Sequence, residues 1–237
     1  MLGELIKEPF LGFQKEALKF LKDLSNDKNN NKVWFDKNRE TYEIYLKKPM
    51  RDLIDTLAIE INKIDPDIVV NYKSIFRINR DIRFSKNKMP YKNLYSAAFA
   101  FGRIKSAEIP QFYFHFDPNE LIFSTGQYSM DPDNLKKIRA AIYGKFREYK
   151  SIVTEKQFTH NYKEVRGEKL TKLPKGYENT EIDKSDKLLI QALKMKQFYV
   201  FKSYKPDVIL NEKLADIIID NIKRSYDFNK FLYFAVK

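Results

Sequence analysis

The sequence predicts an α+β protein, with a mostly antiparallel sheet packed against N-terminal and C-terminal helices. Three observations predict it. Apolar residues recur at three- and four-residue steps through the first 66 residues, alternate every second residue in the middle of the chain, and return to helical spacing after Asp131. A single domain is expected over 1–237. Within it, residues 1–66 are read as helical, 67–150 as strand-rich and 151–237 as mixed helix and strand.

The elements follow in order. Phe13, Ala17, Phe20, Leu21 and Leu24 make one amphipathic face, broken by the turn-forming run Ser25–Asn31. A second helix is predicted from Lys32 to Leu46, with Phe35, Asn38, Tyr42 and Tyr45 on one stripe. Pro49 suits the first turn of a third helix, whose stripe runs Met50, Leu53, Ile54, Leu57, Ile61, Ile64 until Asp65-Pro66 ends it. Strands are predicted at Ile68–Val70, Tyr95–Phe101, Gln111–Phe116 and Leu121–Thr125, the last two joined by the turn residues Asp117-Pro118-Asn119. Asp131 reads as an N-cap with Pro132 behind it, opening a helix to about residue 149. Val153–Gly176 is polar, with a loop expected at Leu173–Gly176. Asp186–Met195 then reads as helix, Gln197–Tyr204 as extended and Asn211–Tyr226 as helix.

Composition narrows the chemistry. The 237 residues contain no cysteine, which excludes disulfides, thiolate nucleophiles and cysteine-held metals. Two histidines cannot build a three-histidine site. The seven glycines are too scattered for a G-x-G-x-x-G turn or a P-loop. No set of acids is spaced for a metal, so neither metal nor cofactor is expected. The longest charge-free stretches have ten residues, about half a membrane span. Glu4, Lys7 and Glu8 stand where a signal peptide needs an apolar run. A cytoplasmic protein with no membrane partner is the expectation, and the sequence sets no oligomeric state.

The net charge is +12, and its distribution is uneven. Only ten residues are arginine, and three of them, Arg77, Arg80 and Arg83, fall within seven positions. From Tyr72 to Lys105 there are nine basic residues against one acid, Asp81. Like charges at this density repel unless they are solvated or answered by an anion. Arg77–Lys92 reads R-I-N-R-D-I-R-F-S-K-N-K-M-P-Y-K, and an extended entry followed by a turn is expected, because Ile75-Phe76 leads in and Pro90 closes it. On an extended leg Arg77, Asn79, Asp81 and Arg83 point one way and Arg80 the other. Arg80 is then partly buried, and Asp81 or another acid is expected to pair with it or with a neighbour.

This motif, R-x-x-R-D-x-R-F-x-x-x-K-x-P-Y-K, resembles the signature of a bacterial family of about 230 residues known as domain of unknown function family 2461, and all nine fixed positions match. Phe20–Leu24, Trp34-Phe35, Tyr42 and Pro49 are similar to the family's opening pattern. Gly126-Gln127-Tyr128, Leu135 and Ile138-Arg139 are similar to its middle. Gly167–Tyr177 and Leu193–Phe198 are similar to its end. Asp183-Lys184-Ser185 departs from an Asp-His-Pro-like triplet common in relatives. The resemblance implies one α+β domain with the motif as its site, and it implies no substrate.

The candidate ligand-binding residues are Arg77, Arg80, Asp81, Arg83, Lys88, Tyr91, Lys92, Trp34 and His115; no residue is assigned a catalytic role. Arginine forks and lysine ammonium groups would clamp an anion while Asp81 orients an arginine. Tyr91 would add a hydroxyl, and Lys88 and Lys92 could bring its titration, ordinarily near about 10, toward neutrality. Trp34 is either core or a pocket wall or stacking platform. His115 lies on the strand side opposite Phe112, Phe114 and Phe116 and is a base facing a pocket, a solvent-facing residue or a satisfied half-buried histidine. The function these residues suggest first is binding of a small phosphate- or carboxylate-bearing ligand, with catalysis undecided. The alternatives are a structural or protein-interaction role in which the motif is a folding staple and, ranked after it, nucleic-acid binding.

Overall fold

The computed structural model describes residues 9–103, 108–178 and 186–237. Glu4, Lys7, Glu8, Lys105 and Asp183-Lys184-Ser185 therefore lie outside the described residues.

Helix α1 (Lys15–Leu24) buries Ala17, Phe20, Leu21 and Leu24, the stripe read from the sequence. The asparagine run after it does specific work. Asn29 and Asn30 donate side-chain hydrogen bonds to the last carbonyls of α1, those of Asp23 and Leu24, both at 2.9 Å. Asn31 then caps α2 (Lys32–Lys37) by accepting from the Trp34 amide at 3.0 Å. The single helix expected over 32–46 is instead broken at Asn38 and resumes as α3 (Arg39–Tyr42). A π turn, Glu43–Lys47, then leads without a break into α4 (Lys48–Ile64). Pro49 has no N–H and its ring crowds the carbonyl four residues back, so a widened turn just upstream lets the chain pass through it.

The sheet is antiparallel, with strands β1 (Ile68–Val69), β2 (Tyr95–Phe101), β3 (Gln111–Phe116), β4 (Leu121–Gln127) and β5 (Phe198–Tyr204) in sequence order across it. Ile68 pairs with Phe101 and Val69 with Ala100. On β3 the alternation is as read: Phe112, Phe114 and Phe116 are buried while Tyr113 and His115 are half-buried. The α+β class thus holds, with helices before and after an antiparallel sheet.

Helix α5 (Pro132–Gly144) starts on Asp131, whose carboxylate accepts from the amides of Asp133 and Asn134. The helix expected to reach 149 stops at Gly144, and α6 (Phe146–Val153) and α7 (Lys156–Tyr162) follow. Helix α8 (Lys187–Lys194) is capped by Asp186. Helix α9 (Leu214–Val236) extends ten residues past its expected end. Among the described residues no helix is long and apolar enough to cross a membrane.

The chain divides into two compact units. The first comprises Met1–Lys105, Tyr113–Phe123 and Ser203–Asn221; the second comprises Ser106–Phe112, Ser124–Lys202 and Ile222–Lys237. Within the first, Phe13, Phe20, Leu21, Phe35, Leu53, Ile54, Tyr95, Phe99, Phe114 and Phe116 are buried. Within the second, Ile138, Ile142, Tyr149, Phe158, Leu193, Phe198, Phe228 and Leu232 are buried. The basic motif lies wholly in the first unit.

Candidate functional site

The motif is the far end of one long antiparallel hairpin. Beyond the β1–β2 pairs, Ile75 bridges Ala97 and Asn79 bridges Tyr91, so the two legs meet again at intervals toward the tip, with a shift of register between successive contacts. The Arg80 amide donates to the Pro90 carbonyl, and the Lys92 amide donates to the Ile78 carbonyl, both at 2.8 Å. Pro90 fits the return leg because it needs to supply only its carbonyl. The extended entry therefore has the expected facing. Arg77, Asn79 and Asp81 are exposed, while Ile78 is buried and Arg80 half-buried.

Side chains shape the tip. The Asp81 carboxylate accepts from the Arg83 amide at 3.2 Å and takes the Arg83 guanidinium as a two-pronged fork, from Nε at 3.0 Å and Nη2 at 2.7 Å. These bonds, with Arg77 adding at longer range, hold the Asp81 carboxyl below its ordinary pKa. Lys88 Nζ donates to the Ile82 carbonyl at 3.0 Å and straps the tip closed. Asp81 pairs with a neighbour of Arg80, as expected. Two of the expected clamps, Arg83 and Lys88, are thus occupied within the loop.

The remaining cations lie on the two legs at the base of the tip, Arg77 and Arg80 on the entry and Lys92 on the return. Lys92 Nζ donates to the Arg77 carbonyl at 3.1 Å and lies 5.5 Å from the centre of the Phe76 ring. Burial, and then the charges of Arg77 and Arg80, push the Lys92 ammonium below its ordinary pKa. Arg80 Nη2 reaches Ser85 Oγ at 3.5 Å, the outer limit of a hydrogen bond. Among the described residues, no carboxylate forms an ion pair with Arg77, Arg80 or Lys92.

Tyr91 faces elsewhere. It is 7% exposed, and its ring stacks on Phe35 with centroids 4.2 Å apart and planes 11° from parallel. The charged groups that act on its phenol are Asp36 and Arg39, not Lys88 or Lys92. Burial first, then Asp36, raises its pKa, so the expected activation toward neutral pH is absent. The backbone of Tyr91 is gripped by Asn30, a residue that sequence reasoning left in a turn. Trp34 sits in the same aromatic cluster, half-buried, 5.4 Å from the Phe20 ring.

His115 connects to the cations through aromatic neighbours. Phe76 lies 6.1 Å from Tyr113, and Tyr113 lies 5.5 Å from His115. The Tyr113 hydroxyl shares a hydrogen bond with Ser96. Lys92, Phe76, Tyr113 and His115 therefore form one chain of contacts. His115 Nδ1 is buried without a hydrogen-bond partner, and burial lowers the imidazole pKa against the opposing pull of Asp117 and Glu120. Phe76, Ser96 and Tyr113 were not among the expected residues. Phe76 and Ser96 flank the motif in sequence, whereas Tyr113 comes to it from β3.

A cavity of about 530 Å³ in the same unit is lined by Asp55, Ala58, Ile59, Asn62, Lys63, Ile68 and Val70, and it includes no motif residue. The candidate site is thus an open cluster of cations on a hairpin.

The fold and this cluster define an α+β protein with a basic hairpin projecting from its sheet. The chain belongs to the family described as conserved hypothetical protein (DUF2461), whose model matches residues 16–231. No curated protein and no solved structure matches the chain.

Proposed function

We propose that the chain binds a small phosphate- or carboxylate-bearing ligand at Arg77, Arg80 and Lys92. One observation carries this reading: Lys92 on the return leg feels the charges of both Arg77 and Arg80 on the entry leg, and no acid among the described residues pairs with any of the three. An anion there relieves their mutual repulsion and accepts hydrogen bonds from two guanidinium groups. The reading divides the motif. Asp81, Arg83, Lys88 and Tyr91 hold the loop in shape, and Arg77, Arg80 and Lys92 meet the ligand. The staple alternative draws on the first group, so both roles fit within one segment.

Thermal melting with inorganic phosphate and sulfate tests it. A ligand at about 100 times its Kd adds about 2.7 kcal/mol to folding stability. For a chain of this size that raises Tm by several degrees. The double substitution Arg80→Gln with Lys92→Met is expected to abolish the rise. A melting curve unmoved by any of a broad panel of anions defeats the proposal.

A further inference from the structure

Phe84 is 95% exposed, the most exposed large apolar side chain among the described residues. A ring left in water forgoes the gain of burial, so its setting matters. The loop that carries it is braced on both sides. Arg83 is fixed by its fork on Asp81, Lys88 straps the tip to the Ile82 carbonyl, and the Ser85 amide donates to that same carbonyl at 3.3 Å. Ser85, the next residue, is the one the Arg80 guanidinium reaches. The guanidinium carbon of Arg83 lies 5.9 Å from the Phe84 ring centre. The backbone under this exposed ring is therefore held in place, and the residue beside it, Ser85, meets one cation of the cluster, Arg80.

These two features answer the two halves of one kind of molecule. Cations suit a phosphate, and an uncovered aromatic ring suits the face of a planar heterocycle. We infer that the ligand of the cluster is a nucleoside phosphate, free or at the end of a nucleic-acid strand, with its phosphate on Arg77, Arg80 and Lys92 and its base stacked on Phe84. This rests on the anion-binding reading above and specifies the ligand's class. Phe84 then adds affinity only for ligands that carry a base.

The test compares adenosine monophosphate with ribose phosphate, which has the same sugar and phosphate but no base, by calorimetry on the full chain. In the wild type the nucleotide should bind at least about tenfold more tightly, the scale of one aromatic–base stack. Phe84→Ala should bring adenosine monophosphate down to the ribose phosphate level and leave ribose phosphate unchanged. Phe84→Trp should retain the difference. Phe84 is almost entirely in solvent, so these variants remove no buried contact. Equal affinity of the wild type for the two ligands overturns the inference while leaving the anion site standing. No binding of either ligand, or of inorganic phosphate, overturns both. A 5′-phosphorylated hexathymidylate separates the two sources. Tighter binding than the mononucleotide, with a steep loss in salt, assigns the site to strand ends, and affinity no greater than the mononucleotide's assigns it to free nucleotides.

Discussion

Asn30 and Tyr91, 61 residues apart in sequence, are joined by two hydrogen bonds of 3.0 Å: the Tyr91 amide donates to Asn30 Oδ1, and Asn30 Nδ2 donates to the Tyr91 carbonyl. The asparagine amide thus behaves as a neighbouring strand would, pairing both backbone groups of one residue. Its second N–H holds the Leu24 carbonyl at the end of α1, so one buried side chain, 4% exposed, ties a helix end to the return leg of the motif hairpin. Asn30→Ala leaves a buried amide and carbonyl of Tyr91 unpaired, each worth about 1–3 kcal/mol. The expected loss is about 2–5 kcal/mol in urea denaturation. Tyr91→Phe keeps the stack on Phe35 and should change stability by less than about 1 kcal/mol, whereas Tyr91→Ala should cost about 3–5 kcal/mol, as large aromatic truncations do. Tyr91→Phe should leave phosphate binding unaltered. A loss of binding in that variant would return the phenol to the site.

The Asp81–Arg83 fork makes a different prediction, because both side chains are largely in water, at 46% and 76% exposure. An exposed pair contributes little to stability, so Asp81→Asn should barely move the urea midpoint. It does remove the one negative charge of the segment. Phosphate should therefore bind up to a few-fold more tightly at low salt, with the gain fading at physiological ionic strength. Arg83→Gln alone uncovers Asp81 and should weaken binding by a similar factor. The double substitution Asp81→Asn with Arg83→Gln should restore wild-type affinity. If the double variant loses binding altogether, Arg83 contacts the anion directly and the assignment of the fork to loop shaping is wrong.

The elements of this fold governed by near neighbours could be read from sequence. The two-residue period of Gln111–Phe116 placed three phenylalanines inward, and the same period told which way Arg77 and Arg80 face. Helix boundaries failed where polar residues are buried or elements are short. Ser225 and Asn229 are buried in α9, and Asn229 Nδ2 donates to Thr125 Oγ1 at 2.7 Å, so a polar pair inside the apolar stripe looked like the end of the helix. Helix α7 buries only Phe158 and Tyr162, one turn apart, too few positions to show a period. In the site, the pairing of Asp81 with Arg83 spans two residues and follows from their shared facing. The grip of Asn30 on Tyr91 spans 61, and nothing local to either residue announces it.

Gly126 and Gly144 make opposed predictions for the same substitution. Gly126 lies in β4 at φ +113°, and a Cβ there would fall 2.2 Å from the Phe198 carbonyl oxygen and 2.9 Å from the Tyr199 Cα. Both are backbone atoms of β5 and cannot swing aside. Gly126→Ala therefore combines an unfavourable backbone conformation, about 1–3 kcal/mol, with a steric clash, and should destabilise by at least about 2 kcal/mol. Gly144, at the end of α5, has nothing within 4 Å of its Cβ position. Gly144→Ala should be neutral or stabilise by about 0.4–1 kcal/mol through the unfolded state. Urea midpoints of the two variants check this, and a tolerated Gly126→Ala would mean that β4 and β5 are not as close as described.

His115 predicts how stability depends on pH. Burial depresses its folded-state pKa below the ordinary 6.5, and Asp117 and Glu120 offset this only in part. Well above pH 6.5 the imidazole is neutral whether the chain is folded or unfolded, and it contributes no slope. As pH falls below that value the unfolded chain takes up a proton that the folded chain refuses, so stability declines, and the decline ends once pH passes below the folded-state pKa. His115→Gln removes this titration. Urea midpoints at about pH 7.5 and pH 5 should therefore fall further for the wild type than for the variant. An anion on the cation cluster should leave the difference in place, because His115 is separated from Lys92 by Phe76 and Tyr113. Loss of the difference on adding phosphate would show instead that the ligand extends along that row to the imidazole.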